Sequence, residues 1–519
     1  MAFETITGYC WPQSGHAGDA ISLHLSSAGG RPATIEVARV GGERAIVYST
    51  SAVPVEDHPT PPNAATDGCD WPAAHRVVID PSWLSGYYEV VLSIDVDGKT
   101  RRSYAFFVVR PKPGQQTASV LIALGTNTWH AYNDFGGDNL YTGATQVSLQ
   151  RPMAPGYLHK PPGAGRRVTS LYPDDRQSAS HVGYLRMNHL SPWGGSAGWP
   201  NWELPFVQWV EQQGYALDYC TNADLKTTRR CSSTTVFPPT RSTFQLVTTN
   251  IGRVQWGPVE DFIAAGGNAA FLSGNTAFWQ VRHEDPTPEG PAKTMVGYKG
   301  QFKNDPVFGT DKVRSLTSIW SDYLIERPEN HMTGVSFSRG GYHRIGKRVT
   351  NGAGGYTMHR TDHWLFDGTG LDYGDVLGGP ARVVGYECDG CVFTYVDGLP
   401  VPTGEDGTPA NFVILGTAPA APFTRTTASR PPAPGQPGED EFVASRLFNT
   451  RERWAVDKIS HGHAVFGTYV SAGGGTVVTS GSTEWAHGLA ERDEQIEQIT
   501  RNLLDRLGDH NAASIGAGS

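Results

Sequence analysis

The sequence predicts an α/β protein with an N-terminal all-β domain. Before residue 112, apolar and polar residues alternate with the period of two that is typical of half-buried strands. After residue 119, apolar strands are followed by amphipathic helices, the order that builds a doubly wound parallel sheet. The 62 Gly and 36 Pro residues indicate many turns and long loops rather than a helical bundle.

Length and charge narrow the classes of protein to consider. At 519 residues the chain is too long for one ordinary domain. The 42 Lys and Arg against 51 Asp and Glu give a net charge of −9, and no basic stripe occurs, so we expect no nucleic-acid partner. No run approaches the ~20 apolar residues of a membrane span, and no secretory segment follows Met1. We therefore expect a cytoplasmic protein without a membrane partner.

Residues 1–112 are predicted to form a β-sandwich of roughly seven strands. Stretches beginning at Ile21 and Ala33 alternate strictly, and Asp97-Gly98 between two apolar runs is a hairpin signal. The Pro- and Gly-containing segment 111–116 is predicted to be a linker, so the second domain is expected to cover residues 113–519.

The first element of the second domain is the stretch around which the chain is organised. Five apolar residues from Val120 end in Gly125 and predict a buried parallel strand. The following residues, which include Trp129 and Tyr132, are interpreted as a loop rather than a helix. Ligands of open α/β sheets lie beyond the carboxyl ends of the strands, so this loop is the predicted functional surface.

The later elements alternate between helix and strand. An amphipathic helix from Trp202 ends at Gly214, and a second helix from Val259 is closed by Gly266. A strand from Asn268 follows the second helix. At the C-terminus, a strand from Thr476 precedes a helix, and we expect this pair to rejoin the sheet; the apolar residues predicted on one face of that helix are Ile496, Ile499, Leu503, Leu504 and Leu507.

The six cysteines are too few for a disulfide framework in a chain of this length. Cys388 and Cys391 have metal or redox spacing, but no second pair lies nearby, and we interpret them as ordinary thiols beside a turn. Cys220 ends a predicted strand, which raises a glutamine-amidotransferase-like nucleophile as an alternative. The residues after it lack the glycines of a nucleophile elbow, so this alternative ranks last.

Several motifs together resemble the large (β) subunit of N,N-dimethylformamidase and its relatives. The resemblance extends over most of the chain and implies a glutamine-amidotransferase-like α/β domain with long insertions behind the leading sandwich. The motifs that carry it are Thr128-Trp-His-Ala-Tyr-Asn, Asn139-Leu-Tyr, Val147-Ser-Leu-Gln-Arg-Pro, Trp202-Glu-Leu-Pro-Phe-Val-Gln-Trp, Gly274-Asn, Phe278-Trp-Gln-Val-Arg, Gly340-Gly-Tyr-His and Ser482-Thr-Glu-Trp.

The resemblance implies an amidohydrolase with a mononuclear ferric ion held by two tyrosinates and one glutamate. Hard anionic oxygens suit such an ion, which polarises an amide carbonyl and acidifies a bound water. By position, Tyr132 matches the first tyrosine and Tyr141 is assigned as the second, with Tyr172 as its competitor. The implied substrate is a small amide.

The resemblance also implies three residues around the substrate. Asn275 is expected to present its amide to the substrate or to a bound water. Glu387 is expected to act as general base or to orient the water, and Lys299 matches a further family position. The alternatives are a strand-end turn residue for Asn275 and an exposed or paired carboxylate for Glu387.

One part of the family pattern is missing. The third iron ligand belongs to a His-x-Glu motif before the helix at Val259, and the sequence there contains neither residue. Asn250 and Arg253 cannot replace a carboxylate on a hard cation, and residues 226–256 are interpreted as a divergent or frame-shifted replacement. The alternative function is therefore a catalytically inactive relative that serves as a binding or assembly subunit, with a small companion chain or a homo-oligomer as its assembly.

Overall fold

The computed structural model describes residues 6–161, 185, 187–227, 243–246, 257–284, 291–344, 352–424 and 437–508. The described residues are mixed α/β and fall into two compact units. The first unit draws on Met1–Arg166, Val182–Val236 and Arg282–Tyr298, and the second on Arg167–His181, Phe237–Val281 and Lys299–Ser519. Tyr172, Asn250 and Arg253 lie outside the described residues. The boundary at residue 112 stays a prediction.

The N-terminal part of the first unit is β-rich, as predicted, and contains eight strands where roughly seven were expected. Strands from both of its sheets contribute to one core, which includes Leu23, Val37 and Phe107. One sheet is antiparallel and has the order Ile6–Trp11, Ala20–Ser27, Ala73–Val78. The other has the order Ser14–Gly15, Lys99–Val109, Gly86–Val96, Ala33–Val40, Arg44–Val53.

The predicted hairpin turn is confirmed. Strands Gly86–Val96 and Lys99–Val109 pair in antiparallel register with Val96 opposite Lys99. Asp97 and Gly98 between them have φ angles of 53° and 74°. A two-residue turn with positive φ at both positions matches the twist of the strands that it joins, and Asp-Gly tolerates this backbone.

The first unit also contains the strand Val120–Leu124, which pairs in parallel with Leu217–Thr221. The predicted helix before the second strand is Glu203–Gln212, and Gly214 follows it with φ of 91°. The described residues of this unit also form helices Ala64–Asp67 and Asn222–Thr227 and an antiparallel sheet of Gln146–Ser148, Thr294–Val296 and Arg282–Glu284.

The interpretation of the stretch after Gly125 as a loop was wrong, because residues Thr126–Tyr132 form a helix in which all seven residues are buried. The first N–H groups of a helix have no partner within it, and here Asn222 supplies one. The Asn127 N–H donates to Asn222 Oδ1 at 3.1 Å, and the Asn222 N–H donates to the Thr126 hydroxyl at 3.4 Å. This cap comes from 95 residues away in the chain, so local sequence does not predict it.

The second unit contains a mixed sheet whose parallel part was predicted. Strand Thr476–Thr479 pairs in parallel with Asn268–Phe271, so the C-terminal pair rejoins the sheet, and all five predicted apolar residues of helix Glu494–Gly508 are buried. The antiparallel part was not predicted. Beyond the parallel strands Thr243–Leu246, Asn268–Phe271 and Thr476–Thr479, the order continues with Gly462–Val470, Val413–Ala420, Tyr356–Met358 and Val376–Leu377.

A separate two-stranded pair, Ser336–Tyr342 with Glu387–Gly390, carries part of the candidate site. The described residues of the second unit also form a hairpin, six helices and three 3₁₀ segments. These are hairpin strands Phe393–Val396 and Leu399–Pro402; helices Gly257–Ala264, Asn330–Thr333, Glu439–Phe448, Arg453–Asp457, Trp485–Ala490 and Glu494–Gly508; and 3₁₀ segments Lys299–Asn304, Val313–Ser315 and Trp364–Phe366. Across the described ranges, no helix is long and apolar enough to cross a membrane.

Candidate functional site

The first part of the candidate site is the Asn275 loop, which comprises residues 274–277 beyond strand Asn268–Phe271. Asn275 is buried and has φ of 56°, a left-handed conformation that Asn tolerates better than most residues. Gly274 is required by close packing, because a Cβ there would lie 2.2 Å from the Glu387 carbonyl oxygen. The loop therefore lies directly against strand Glu387–Gly390.

Two of the predicted residues meet at this contact. The Asn275 side-chain N–H donates to Glu387 Oε1 at 2.8 Å, and both side chains are buried. Asn275 Oδ1 is also buried and has no hydrogen-bond partner among the described residues. A buried acceptor without a partner is costly, so this oxygen is available to a water or to an N–H of a bound molecule.

Burial, with smaller contributions from the neighbouring carboxyls of Asp389 and Glu439, raises the pKa of Glu387 to about 8. The hydrogen bond from Asn275 and the charge of Lys299 act in the opposite direction but do not outweigh burial. Glu387 therefore holds a proton in most molecules at neutral pH and can release it within a range that is accessible to catalysis.

Lys299 lies close enough to Glu387 for the charge of each to affect the pKa of the other. Burial lowers the pKa of Lys299 well below its ordinary value, although the charge of Glu387 opposes this. Its Nζ lies 4.9 Å from the centroid of the Trp279 ring, and its backbone N–H donates to the Thr317 carbonyl at 2.7 Å. The structure thus brings Asn275, Glu387 and Lys299 together in the second unit.

Two acidic residues of this site were not predicted. Asp389 is buried on the same strand as Glu387 and accepts the N–H groups of Asn275 at 2.7 Å and Thr276 at 3.0 Å. The sequence did contain a signal for Asp389, because it lies two residues after Glu387 and residues two apart on a strand share a face. Glu439 accepts the Phe423 N–H at 2.8 Å, and nothing in the sequence around helix Glu439–Phe448 distinguished it from an ordinary first-turn carboxylate.

The two predicted metal ligands lie in the first unit. The rings of Tyr132 and Tyr141 stack with their centroids 4.0 Å apart and an interplanar angle of 6°, and Trp193 packs within 5.8 and 6.2 Å of them. Tyr132 is the last residue of helix Thr126–Tyr132 and is buried, whereas Tyr141 is half-buried.

Side chains from later parts of the chain bind the backbone at Tyr132 and Asn133. The Tyr132 carbonyl accepts from the Asn139 side chain at 2.7 Å and from the Tyr157 hydroxyl at 2.6 Å. The fully buried Arg151 guanidinium donates to the next carbonyl, that of Asn133, at 2.9 Å. These bonds fix the end of the helix, so the position of Tyr132 is set by residues from separate loops.

The tyrosine pair offers two hard oxygen donors to a ferric ion. No group of three or more His, Cys, Asp and Glu side chains that could hold a metal occurs in the part of the chain that the structure describes. Tyr172 and residues 247–256, where the missing ligand would belong, are outside that part. We therefore derive no chemical step through a metal.

A buried carboxyl of the first unit was also missed. Glu203 Oε1 accepts the Trp129 indole N–H at 3.1 Å and the Gly125 N–H at 3.3 Å, and burial raises its pKa to about 8. In sequence it resembles an ordinary acidic residue in the first turn of a helix. Its bonds join helix Glu203–Gln212 to the end of strand Val120–Leu124.

The three cysteines considered in the sequence, Cys220, Cys388 and Cys391, lack the features of a nucleophile. Cys220 lies within strand Leu217–Thr221, and burial raises the pKa of its thiol well above the ordinary value, which disfavours the reactive thiolate. Cys388 and Cys391 are buried and free, and burial raises their pKa values in the same way. Cys388 lies within strand Glu387–Gly390.

Comparison with known proteins agrees with the motifs. No curated protein matches this sequence. A family model described as "N,N-dimethylformamidase beta subunit-like, C-terminal" matches residues 34–498, which is well over half of the chain. The match includes every motif residue of both candidate regions. The chain belongs to the N,N-dimethylformamidase beta subunit-like family.

Proposed function

We propose that this protein is an amidohydrolase that cleaves the C–N bond of a small amide. Family membership supports the reaction class. The observation that carries the proposal is the group of buried Asn275 and Glu387 with half-buried Lys299, in which an unpartnered amide oxygen lies beside a titratable carboxyl. The proposal includes the glutamine-amidotransferase-like architecture and a β-sandwich before it.

The two ionisable groups are suited to proton transfer because burial favours the neutral form of each. Glu387 holds a proton at neutral pH, and the lowered pKa of Lys299 favours its neutral amine. In the proposed reaction, water adds to the amide carbonyl carbon and gives a proton to Lys299. Glu387 gives its proton to the leaving nitrogen as the C–N bond breaks, so the products are a carboxylic acid and an amine.

Asn275 is proposed to hold the reactants. Its side-chain N–H groups fix the Glu387 carboxyl, and its Oδ1 accepts a hydrogen bond from the attacking water or from a substrate N–H. The Trp279 ring provides an apolar surface beside Lys299 for the substrate's alkyl groups.

The proposal also includes a mononuclear ferric ion on Tyr132 and Tyr141. When bound, such an ion would polarise a carbonyl oxygen and acidify a water. We expect near-stoichiometric iron in the purified protein together with a tyrosinate-to-ferric absorption band, and loss of the band in Tyr132→Phe. Protein without iron or band after reconstitution would remove the metal from the proposal.

The activity test is release of amine from N,N-dimethylformamide and other small amides, with Lys299→Met and Glu387→Gln as variants. Both should lower kcat by on the order of 10²-fold, the usual contribution of a positioned acid or base. Asp218→Asn in the first unit is the matched control and should keep activity. If the iron-reconstituted wild type releases no amine from any amide, the proposal is rejected.

A binding or assembly subunit without activity is the second candidate, and the absent His-x-Glu motif favours it. The "beta subunit-like" family description supports a partner subunit. Co-expression with a small companion chain and light scattering would show a stable heteromer in that case. A monomer or homo-oligomer that hydrolyses amides would contradict it.

A further inference from the structure

We infer that Asp389 is a positioning residue that holds the Asn275 loop in its left-handed conformation and thereby keeps the Asn275 amide on Glu387. This inference rests on the proposed function for its kinetic consequence. It concerns a residue that touches neither the substrate nor the reacting atoms.

The first observation is the way in which the carboxylate is bound. Asp389 Oδ1 accepts the Asn275 N–H at 2.7 Å, and Oδ2 accepts the Thr276 N–H at 3.0 Å. Two successive N–H groups directed at one acceptor form a nest, an arrangement that also recognises phosphate and other anions. Here the acceptor is a carboxyl of the protein itself: burial raises the pKa of Asp389 to about 7, and the two N–H bonds favour its ionised form.

The second observation is the backbone of the loop. Asn275 and Ala277 both have positive φ angles, 56° and 58°, and neither is glycine. Such residues persist only where their surroundings compensate the unfavourable conformation. The Asn275 and Thr276 N–H groups both donate to Asp389, so its carboxyl compensates the unfavourable conformation of the loop.

The third observation is that one strand makes both contacts. Glu387 and Asp389 lie two residues apart on strand Glu387–Gly390 and therefore on the same face. Glu387 accepts a hydrogen bond from the Asn275 side chain, and Asp389 accepts one from the Asn275 backbone N–H. Loss of the backbone contact would free the loop to rotate the side chain away from Glu387.

The test uses Asp389→Asn with a closely matched control. At Asp389 the two N–H groups donate to different oxygens, and an asparagine places an –NH₂ group where one of these oxygens stands, so one of the two bonds is lost. Asp218 is also buried and accepts two successive N–H groups, from Thr117 and Ala118, together with the Thr117 hydroxyl. Asp218→Asn therefore makes the same chemical change in the first unit.

Hydrogen exchange measures how well the amides of the Asn275 loop are protected, and this measurement does not depend on enzymatic activity. In D389N the Asn275 and Thr276 amides should exchange at least about tenfold faster than in wild type, and in D218N they should exchange at the wild-type rate. Unchanged protection in D389N would overturn the inference. If D389N does not fold, Asp389→Glu displaces the same carboxylate and is expected to give the same change.

Kinetics then tests whether Asp389 acts through Asn275. D389N should lower kcat by on the order of tenfold to a hundredfold, because misplacement of a binding group by about 1 Å has effects of this size. In an Asn275→Ala background the same substitution should change kcat by less than about twofold, since the group that it positions is gone. Full additivity of the two substitutions would overturn the inference. If wild type hydrolyses no amide, the proposed function fails, and hydrogen exchange alone decides the role of Asp389.

Discussion

Replacement of Glu387 by Gln should make the protein more stable, by an amount that grows with pH. Glu387 is almost fully buried, and its pKa is raised from 4.5 to about 8, chiefly by burial. A carboxyl with a folded-state pKa above its unfolded-state pKa releases its proton more readily in the unfolded chain. Stability is therefore lost as pH rises from about 4.5 to about 8.

The magnitude follows from the size of the shift. Each pH unit in this window costs about 1.4 kcal/mol, which gives about 3 kcal/mol at pH 7 and about 5 kcal/mol at pH 8 and above. Glutamine stays neutral throughout and keeps an oxygen for the Asn275 N–H. The difference in unfolding free energy between E387Q and wild type should therefore rise across pH 5 to 8 and then become constant.

Urea unfolding at pH 5, 6, 7 and 8 measures this difference. Glu211→Gln is the control with the opposite electrostatics, because bonds from Arg39, Gly42 and Tyr219 outweigh burial and lower the pKa of Glu211. A carboxyl whose pKa is lowered in the folded protein stabilises it fully at every pH above the unfolded-state pKa. E211Q should therefore be less stable than wild type by an amount that does not change from pH 5.5 to 8. A pH-independent difference for E387Q would show that Glu387 is ionised in the folded protein and would refute the reasoning.

Three further predictions concern packing, a buried ion pair and a thiol. Gly274→Ala should destabilise the protein by about 1–3 kcal/mol in urea unfolding, because the new Cβ would overlap the backbone of the facing strand. The control is Gly300→Ala, whose Cβ would meet nothing within 4 Å and which should be near neutral. Equal effects of the two substitutions would contradict the close contact at Gly274. Asp322→Ala should cost about 3–5 kcal/mol by the same measurement, since it leaves the buried Arg446 without the carboxylate that it binds at 2.7 and 2.9 Å. Cys388 should resist iodoacetamide at pH 8 in the native protein, because burial raises its pKa; rapid labelling detected by peptide mass spectrometry would show that the strand is open to solvent.

Local patterns in the sequence were sufficient for several elements. The Asp97-Gly98 turn, the helix that ends before Gly214 and the apolar face of helix Glu494–Gly508 depend on backbone preference and on periodicity, which are properties of adjacent residues. The helix Thr126–Tyr132 was missed because its N-cap residue, Gly125, has no side chain to signal a helix start, and the acceptor for the Asn127 N–H is Asn222, which only the tertiary fold brings near.

The sequence by itself was sufficient to identify the family and three residues of the candidate site. A motif match depends only on the identity and spacing of residues along the chain, not on where the fold places them. Only the tertiary structure decided that Asn275 binds Glu387 and that Lys299 lies close enough to influence the pKa of Glu387. The role of Asp389 also required the structure, since its partners Asn275 and Thr276 are more than a hundred residues earlier in the chain. Burial sets the pKa values of these groups, and burial depends on which distant segments pack around them, which no local pattern specifies.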